Sequence, residues 1–201
     1  MNYEKFFSDE LKSLKSQGLY RKFREINRTR STFPKATERD GDSKRQVEVW
    51  CSNDYLNLSQ HPAIVSETIK VTQELGTGSG GTRNISGTSS YHADLERTLA
   101  ELHKKDSALI FPSAYTANQS TLWTLCKKLE GIEIYSDELN HASMIQGIKN
   151  ANVKVHIFRH NDTEHLEELL KTSNANTPKM IVFESLYSCL LYTSPSPRDS
   201  R

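Results

Sequence analysis

From Val47 to Phe183 the chain alternates short apolar runs with amphipathic helical stretches, and this alternation restricts the fold more than any single motif. The strand candidates are Val47–Cys51, Ala108–Phe111, Ile132–Tyr135, Val153–Phe158 and Met180–Phe183. Between them lie helix candidates over Pro62–Leu75, His92–His103, Ala117–Lys128, Ser143–Asn150 and Glu164–Lys171, the last capped by Asp162. Strands and helices alternating at this spacing with short loops predict an α/β fold, a mainly parallel sheet flanked by helices. Upstream, Phe6, Phe7, Leu11 and Leu14 predict a helix over residues 3–17 that stops at Gly18. The basic run Arg21–Arg30 reads as a solvated connector, and Pro34–Arg45 as a polar loop. After Ser188 the sequence turns Ser/Pro-rich and loses all periodicity, where a further loop and helix would be expected to cover the sheet.

Charge excludes some functions. With 26 Lys+Arg against 25 Asp+Glu among 201 residues, there is no basic surplus of the kind a nucleic-acid binder carries. No apolar run approaches the ~18 residues that span a bilayer, so no membrane insertion is expected. Three scattered cysteines, Cys51, Cys126 and Cys189, fit a reducing compartment and no disulfide framework. The first residues hold no signal-peptide core, which suggests a bacterial-type cytoplasmic protein, or a mitochondrial matrix protein whose targeting segment lies outside this sequence.

Three segments could carry chemistry. Gly76–Arg83 contains a formal G-x-G-x-x-G, but a helical stretch precedes it rather than the strand a dinucleotide fingerprint requires, and no Gly-Lys-Ser/Thr closes it as a Walker loop. It is either a flexible connection or an anion- or substrate-binding loop, and the polar run Thr82, Arg83, Asn84, Ser86, Thr88, Ser89 favours binding. Phe111–Asn118 marks a strand-to-helix junction, where free backbone N–H groups and the helix dipole suit a phosphate. Asp137–Ser143 follows a strand at its carboxyl end, the side on which open α/β sheets bind ligands, and places His141 there to stack on a flat ligand or to act as acid or base. His156, His160 and His165 have no matching cysteine or carboxylate pair, so no metal site is expected.

Taken together, Trp50–Leu56, Gly78–Thr88, Leu139–Met144 and Phe158–Asp162 occur in the order and spacing of one family. Over about residues 1–188 the chain resembles the α-oxoamine synthases, pyridoxal 5′-phosphate enzymes that condense an amino acid with an acyl-CoA, and would correspond to roughly the first half of their catalytic core. It is most similar to members that use glycine and succinyl-CoA, through Gly18–Phe23 and the Thr82-Arg83-Asn84-Ile85 run.

The resemblance implies an incomplete large domain of the aspartate aminotransferase-like fold type I, a homodimer for the full-length enzyme, and a set of roles. Arg21 would meet the succinyl carboxylate, Asn53 would orient the glycine end, and Thr82, Asn84 and Ile85 would bind substrate. Ser136 would face the acyl-CoA. Ala114 and Tyr115 would hold the cofactor phosphate, His141 would stack on the pyridine ring, and Glu184 and Ser188 would lie along its other flank. Residues 1–45 would form an N-terminal helix and substrate segment, 46–188 part of the cofactor-binding domain, and 189–201 a non-native tail.

There are departures from the family pattern. The lysine usual at the position of Val155, implicated in CoA-substrate binding, stands one place earlier, at Lys154, which in a strand faces the opposite side. The family's Met-Asp-Gly continuation after Ser188 and its later aspartate, histidine and Schiff-base lysine have no counterparts, so this 201-residue chain by itself is expected to be inactive. The alternatives are a sibling of the 2-amino-3-ketobutyrate CoA ligase or 8-amino-7-oxononanoate synthase type, or a non-catalytic dimerising fragment.

Overall fold

The computed structural model describes residues 2–187. The chain divides into two compact units, with the boundary between Gly80 and Gly81.

The first unit opens with α1 (Tyr3–Ser16), whose Asn2 cap accepts the Lys5 N–H at 3.1 Å. Where a connector and a loop were expected, the chain forms an antiparallel meander of β1 (Glu25–Arg28), β2 (Lys35–Asp40) and β3 (Ser43–Glu48), in the order β1-β2-β3. The periodicity concealed it because the inward face of β2 is Ala36 and Glu38, 2% and 6% exposed, rather than an apolar series. Glu38 is tolerated there because Arg24 reaches it from one side, Nη2 to Oε2 at 2.7 Å, and Arg45 from the other, Nε to Oε2 at 2.5 Å. The two-residue turn Gly41-Asp42 closes the β2–β3 hairpin, with Gly41 at φ 61°, a left-handed position that glycine adopts freely. The strand expected at Val47–Cys51 therefore starts earlier, at Ser43, and stops at Glu48. α2 (Pro62–Leu75) follows, with Pro62 in its first turn as expected.

The second unit contains α3 (Ser90–His103), α4 (Ala114–Lys128), β4 (Glu133–Asp137), α5 (Ala142–Ala151), β5 (Lys154–Phe158), α6 (Thr163–Lys171) and β6 (Lys179–Val182). Its sheet is parallel, in the order β5-β4-β6, with Ile134 opposite Val155 and Met180. Its helix-flanked parallel sheet agrees with the expected α/β architecture. Ala108–Phe111, expected as a strand, joins no ladder among the described residues and is irregular chain leading to α4. β4 is buried along its whole length, and one core forms from Leu122 and Cys126 of α4, Ile132, Ile134, Met144, Ile148 and Ala151 of α5, and Val182. α4 and α5 approach closely at Gly147, where an added Cβ would sit 2.9 Å from the Gln119 carbonyl oxygen and 3.2 Å from Leu122 Cβ. Among the described residues no helix is long and apolar enough to cross a membrane.

Three carboxylates inside this framework carry the strongest electrostatics. Glu38 is held down to about 2 by hydrogen bonds from Arg24 and Arg45, Glu96 to about 2 by Arg83, and Glu133 to about 2 chiefly by Lys154. Their ordinary value is 4.5. A carboxylate whose folded value lies lower stabilises the fold above its unfolded value, and that contribution is lost as pH falls through the folded one. Acid unfolding followed by circular dichroism should therefore fall between roughly pH 5 and pH 2. Glu38→Gln or Glu96→Gln should flatten the transition in that window while lowering stability at neutral pH.

Candidate active site

The carboxyl end of β4 and the starts of α4 and α5 meet at one place. Ser136 and Asp137 end β4, 5% and 2% exposed. Asp137 turns the chain by accepting the Leu139 N–H at 2.8 Å and the Asn161 N–H at 3.1 Å. Burial pushes the Asp137 carboxyl up, but these N–H donors together with His160, at 3.0 Å, outweigh it and hold it below the usual aspartate value. Asn140 then ties the turn to two strands, its Nδ2 donating to Ser136 Oγ at 2.9 Å and to the Val182 carbonyl at 2.8 Å. Its Oδ1 is buried and, among the described residues, accepts no hydrogen bond.

His141 occupies the N-cap of α5 and is gripped on three sides. Its N–H donates to Glu184 Oε1 at 2.6 Å, which brings the residue after β6 to the same place. Its Nδ1 accepts the Ser143 N–H at 3.2 Å and lies 2.7 Å from Ser143 Oγ. Asn118 Nδ2 of α4 donates to Ser143 Oγ at 3.1 Å, so the serine hydroxyl hydrogen is directed toward His141. Nδ1 is thus an acceptor and the ring proton belongs on Nε2. The Tyr115 ring and the imidazole meet in a T-shaped arrangement, centroids 6.1 Å apart and planes at 79°.

Tyr115 and Ala114 begin α4. Ser113 caps that helix by accepting the Thr116 N–H at 3.1 Å, and its carbonyl takes the Ala117 N–H at 3.0 Å. The first two amides, of Ala114 and Tyr115, have no carbonyl one turn back to bind, and they carry the positive end of the helix dipole. A methyl group is all that Ala114 places at that end, so an anion can approach the backbone.

The second half of the Gly-rich loop closes into a hydrogen-bonded turn. Thr82 carbonyl accepts both the Ile85 N–H at 3.1 Å and the Gly87 N–H at 2.8 Å. Gly87 is buried, and a Cβ there would lie 2.0 Å from the Gly81 carbonyl oxygen. The turn presents Thr82, Asn84 and Ile85 outward, the last 85% exposed.

Five of the residues singled out from sequence, Ala114, Tyr115, Ser136, His141 and Glu184, come together by these contacts. Thr82, Asn84 and Ile85 share their unit. Arg21 and Asn53 lie in the other unit, both exposed; Asn53 lines a cleft of about 490 Å³ with Arg28, Cys51 and Asp54. Ser188 and the tail 189–201 lie outside the described residues. Sequence reading gave no site role to Asn118 and Ser143, which orient His141, or to Asn140, which ties the turn to Ser136 and Val182. Ser143, expected to cap α5, lies in its first turn, and His141 is the cap. A signal existed for Ser143, two residues beyond His141, the spacing at which an N-cap side chain meets an N–H of the first turn. Lys154 pairs with Glu133 Oε1 at 2.8 Å, and His156 Nε2 meets the same carboxylate at 3.2 Å while stacking on Tyr135. Lys154 is thereby engaged within the sheet, and Val155 is 40% exposed.

A model of the family described as aminotransferase class I and II matches residues 45–190. The chain is 52% identical over 188 residues to the non-specific, mitochondrial 5-aminolevulinate synthase of Gallus gallus, covering 92% of this chain and 30% of that protein. It is 51% identical to the erythroid-specific, mitochondrial 5-aminolevulinate synthase of Bos taurus, covering 92% and 32%. The chain thus spans about 30% of the length of these relatives. Among solved structures, a serine palmitoyltransferase from S. paucimobilis with a bound PLP–myriocin aldimine superposes at TM-score 0.80 and 25% identity, over 97% of this chain and 50% of that one. An 8-amino-7-oxononanoate synthase from Francisella tularensis shares the fold at TM-score 0.59 and 23% identity, over 72% and 39%. The family match runs from β3 through β6 and takes in every residue that converges on His141, so the chain belongs to the aminotransferase class I and II family.

Proposed function

We propose that the chain is the cofactor- and substrate-binding part of a pyridoxal 5′-phosphate-dependent acyltransferase that condenses glycine with succinyl-CoA to 5-aminolevulinate, CoA and carbon dioxide, the first step of tetrapyrrole (heme) synthesis. The observation that carries this reading is the held imidazole of His141 beside the open amides of α4. Similarity to 5-aminolevulinate synthases supports the particular reaction.

The residues present fit the cofactor. The Ala114 and Tyr115 amides would bind its phosphate, His141 would lie against its ring, and Glu184, fixed by the His141 N–H, would line the other flank with Ser188. When bound, pyridoxal phosphate supplies an electron sink for the α-carbon of the amino acid.

The protein's own part is orientation. The Asn118–Ser143–His141 chain holds the imidazole plane and directs its Nε2 proton, which fixes the ring against which substrate is presented. Arg21 would pair with the succinyl carboxylate, where a guanidinium fork matches two oxygens. Asn53 would orient glycine, Thr82, Asn84 and Ile85 would bind substrate, and Ser136 would face the acyl-CoA. The mitochondrial names of the relatives favour a mitochondrial matrix location over a bacterial-type cytoplasmic one, and the full-length enzyme is expected to be a homodimer.

The test is to assay the full-length protein with succinyl-, acetyl- and pimeloyl-CoA against glycine and alanine. Preference for succinyl-CoA with glycine is expected; preference for another pair would make the protein a sibling condensing enzyme. The 201-residue chain alone is expected to form no 5-aminolevulinate, because it lacks a counterpart of the family's cofactor-bonding lysine. Measurable product from the purified chain would overturn that.

A further inference from the structure

The Gly-rich loop contains an arginine that its sequence context would offer to a substrate anion, yet its fork is already engaged. Arg83 Nη2 meets Glu96 Oε2 at 3.0 Å and Nη1 meets Oε1 at 2.5 Å, with the two side chains 32% and 17% exposed. Arg83 Nη1 also reaches the Ile110 carbonyl at 3.4 Å, and Nε reaches Thr88 Oγ1 at 3.3 Å. Thr88 Oγ1 in turn donates to the Arg83 carbonyl at 2.9 Å, which pins the guanidinium to its own loop. On the far side, Glu96 Oε1 accepts the Ile110 N–H at 2.9 Å. Both backbone groups of Ile110 are therefore held by one ion pair, and Ile110 stands three residues before Ser113, the cap of α4.

No ladder fixes the 104–113 segment among the described residues. The pair engages both backbone groups of Ile110 and so ties this segment to the loop where no ladder does. A lysine would keep the charge but could not bridge Glu96, Thr88 and Ile110 at once, since it lacks the planar fork.

We infer that Arg83 is a positioning residue that, through Glu96 and Ile110, holds the substrate loop 81–87 in register with the phosphate-binding start of α4, so that acyl-substrate affinity and cofactor-phosphate affinity are set together. This rests on the functional reading above. Neither ligand need touch Arg83; the clamp acts by fixing Thr82, Asn84 and Ile85 on one side and the Ala114 and Tyr115 amides on the other.

The experiment compares full-length wild type with Arg83→Met and Arg83→Lys in three measurements. The first is the affinity for pyridoxal phosphate and for pyridoxal without its phosphate, read from visible absorption. The second is KM for succinyl-CoA and for glycine, and the third is amide hydrogen exchange. Losing a charge-assisted pair of this kind should weaken pyridoxal phosphate about tenfold in Arg83→Met, leave pyridoxal within about twofold, and raise KM for succinyl-CoA about tenfold. Arg83→Lys should recover only part of each loss, and exchange of the Ile110 and Gly87 amides should accelerate together. A lowered melting temperature with the phosphate preference and both KM values unchanged would reduce Arg83 to a structural ion pair and overturn the inference. Failure of wild type to bind pyridoxal phosphate would instead sink the functional reading; the exchange arm then still decides the clamp, because unaltered Ile110 exchange in Arg83→Met would overturn it.

Discussion

Replacing His141 by alanine in the full-length enzyme should lower kcat about a hundredfold, the scale of penalty when a reacting group loses its alignment by about an ångström. Three residues from separate elements hold this one ring. Its N–H is taken by Glu184, its Nδ1 by Ser143, and Ser143 by Asn118 from a second helix. Ser143 is fully buried, so its hydroxyl has no solvent alternative to that direction. Asn118→Ala should then cost a smaller amount, about fivefold in kcat, close to one hydrogen bond's worth of roughly 1 kcal/mol. His141→Phe keeps a flat ring while giving up the Nδ1 acceptor, and should fall between the two. The measurement is steady-state kinetics together with the visible spectrum of the bound cofactor. Equal activity in wild type and His141→Ala would remove the imidazole from the site.

The second large effect is expected at Gly87. A Cβ there would meet Gly81 O at 2.0 Å, Gly81 C at 2.7 Å and Thr82 C at 2.9 Å, all of them backbone atoms that no rotamer change can move away. Gly87→Ala must therefore open the turn that its own N–H closes on the Thr82 carbonyl. A loss of about 3 kcal/mol or more in urea unfolding is expected, with a rise in KM for the acyl substrate. Gly78→Ala is the control: nothing lies within 4 Å of its Cβ, and a change within about 0.5 kcal/mol is expected. Equal stability of the two variants would show that the loop is not held closed in solution.

The parts of this fold legible in the sequence are those whose burial follows a period. α4, α5, β4 and β6 announce themselves by apolar spacing or short apolar runs because each buries hydrocarbon in the core around Ile134, whereas α2 and α6 are legible from Pro62 and from the Asp162 cap at their starts. The meander β1–β3 was hidden for the opposite reason. Its inward residue Glu38 is charged and is satisfied by Arg24 and Arg45, which sit 14 and 7 residues away in sequence, so no local pattern records the arrangement. The Asp40-Gly41 pair was the one local signal of its hairpin. Ala108–Phe111 shows the converse error: a strand-like sequence whose backbone is engaged by Arg83 and Glu96 rather than by a neighbouring strand.

The same division runs through the site. His141, Tyr115 and Ala114 are conspicuous because they sit at element ends, where ligands bind. Asn118 and Ser143 are inconspicuous because their role exists only once two helices have packed. Chemistry is visible in residue types, whereas its support is visible only in space.

The closeness of α4 and α5 at Gly147 has a consequence for dimensions. One helix begins at the Ala114 and Tyr115 amides and the other at the His141 imidazole, and the two are pressed together where Gly147 meets Gln119 and Leu122. The spacing between their starts is accordingly gauged by a side chain that is missing. A methyl group added there, about six residues along α5 from His141, would work as a shim, prising apart the two helices and with them the Ala114 and Tyr115 amides and the imidazole.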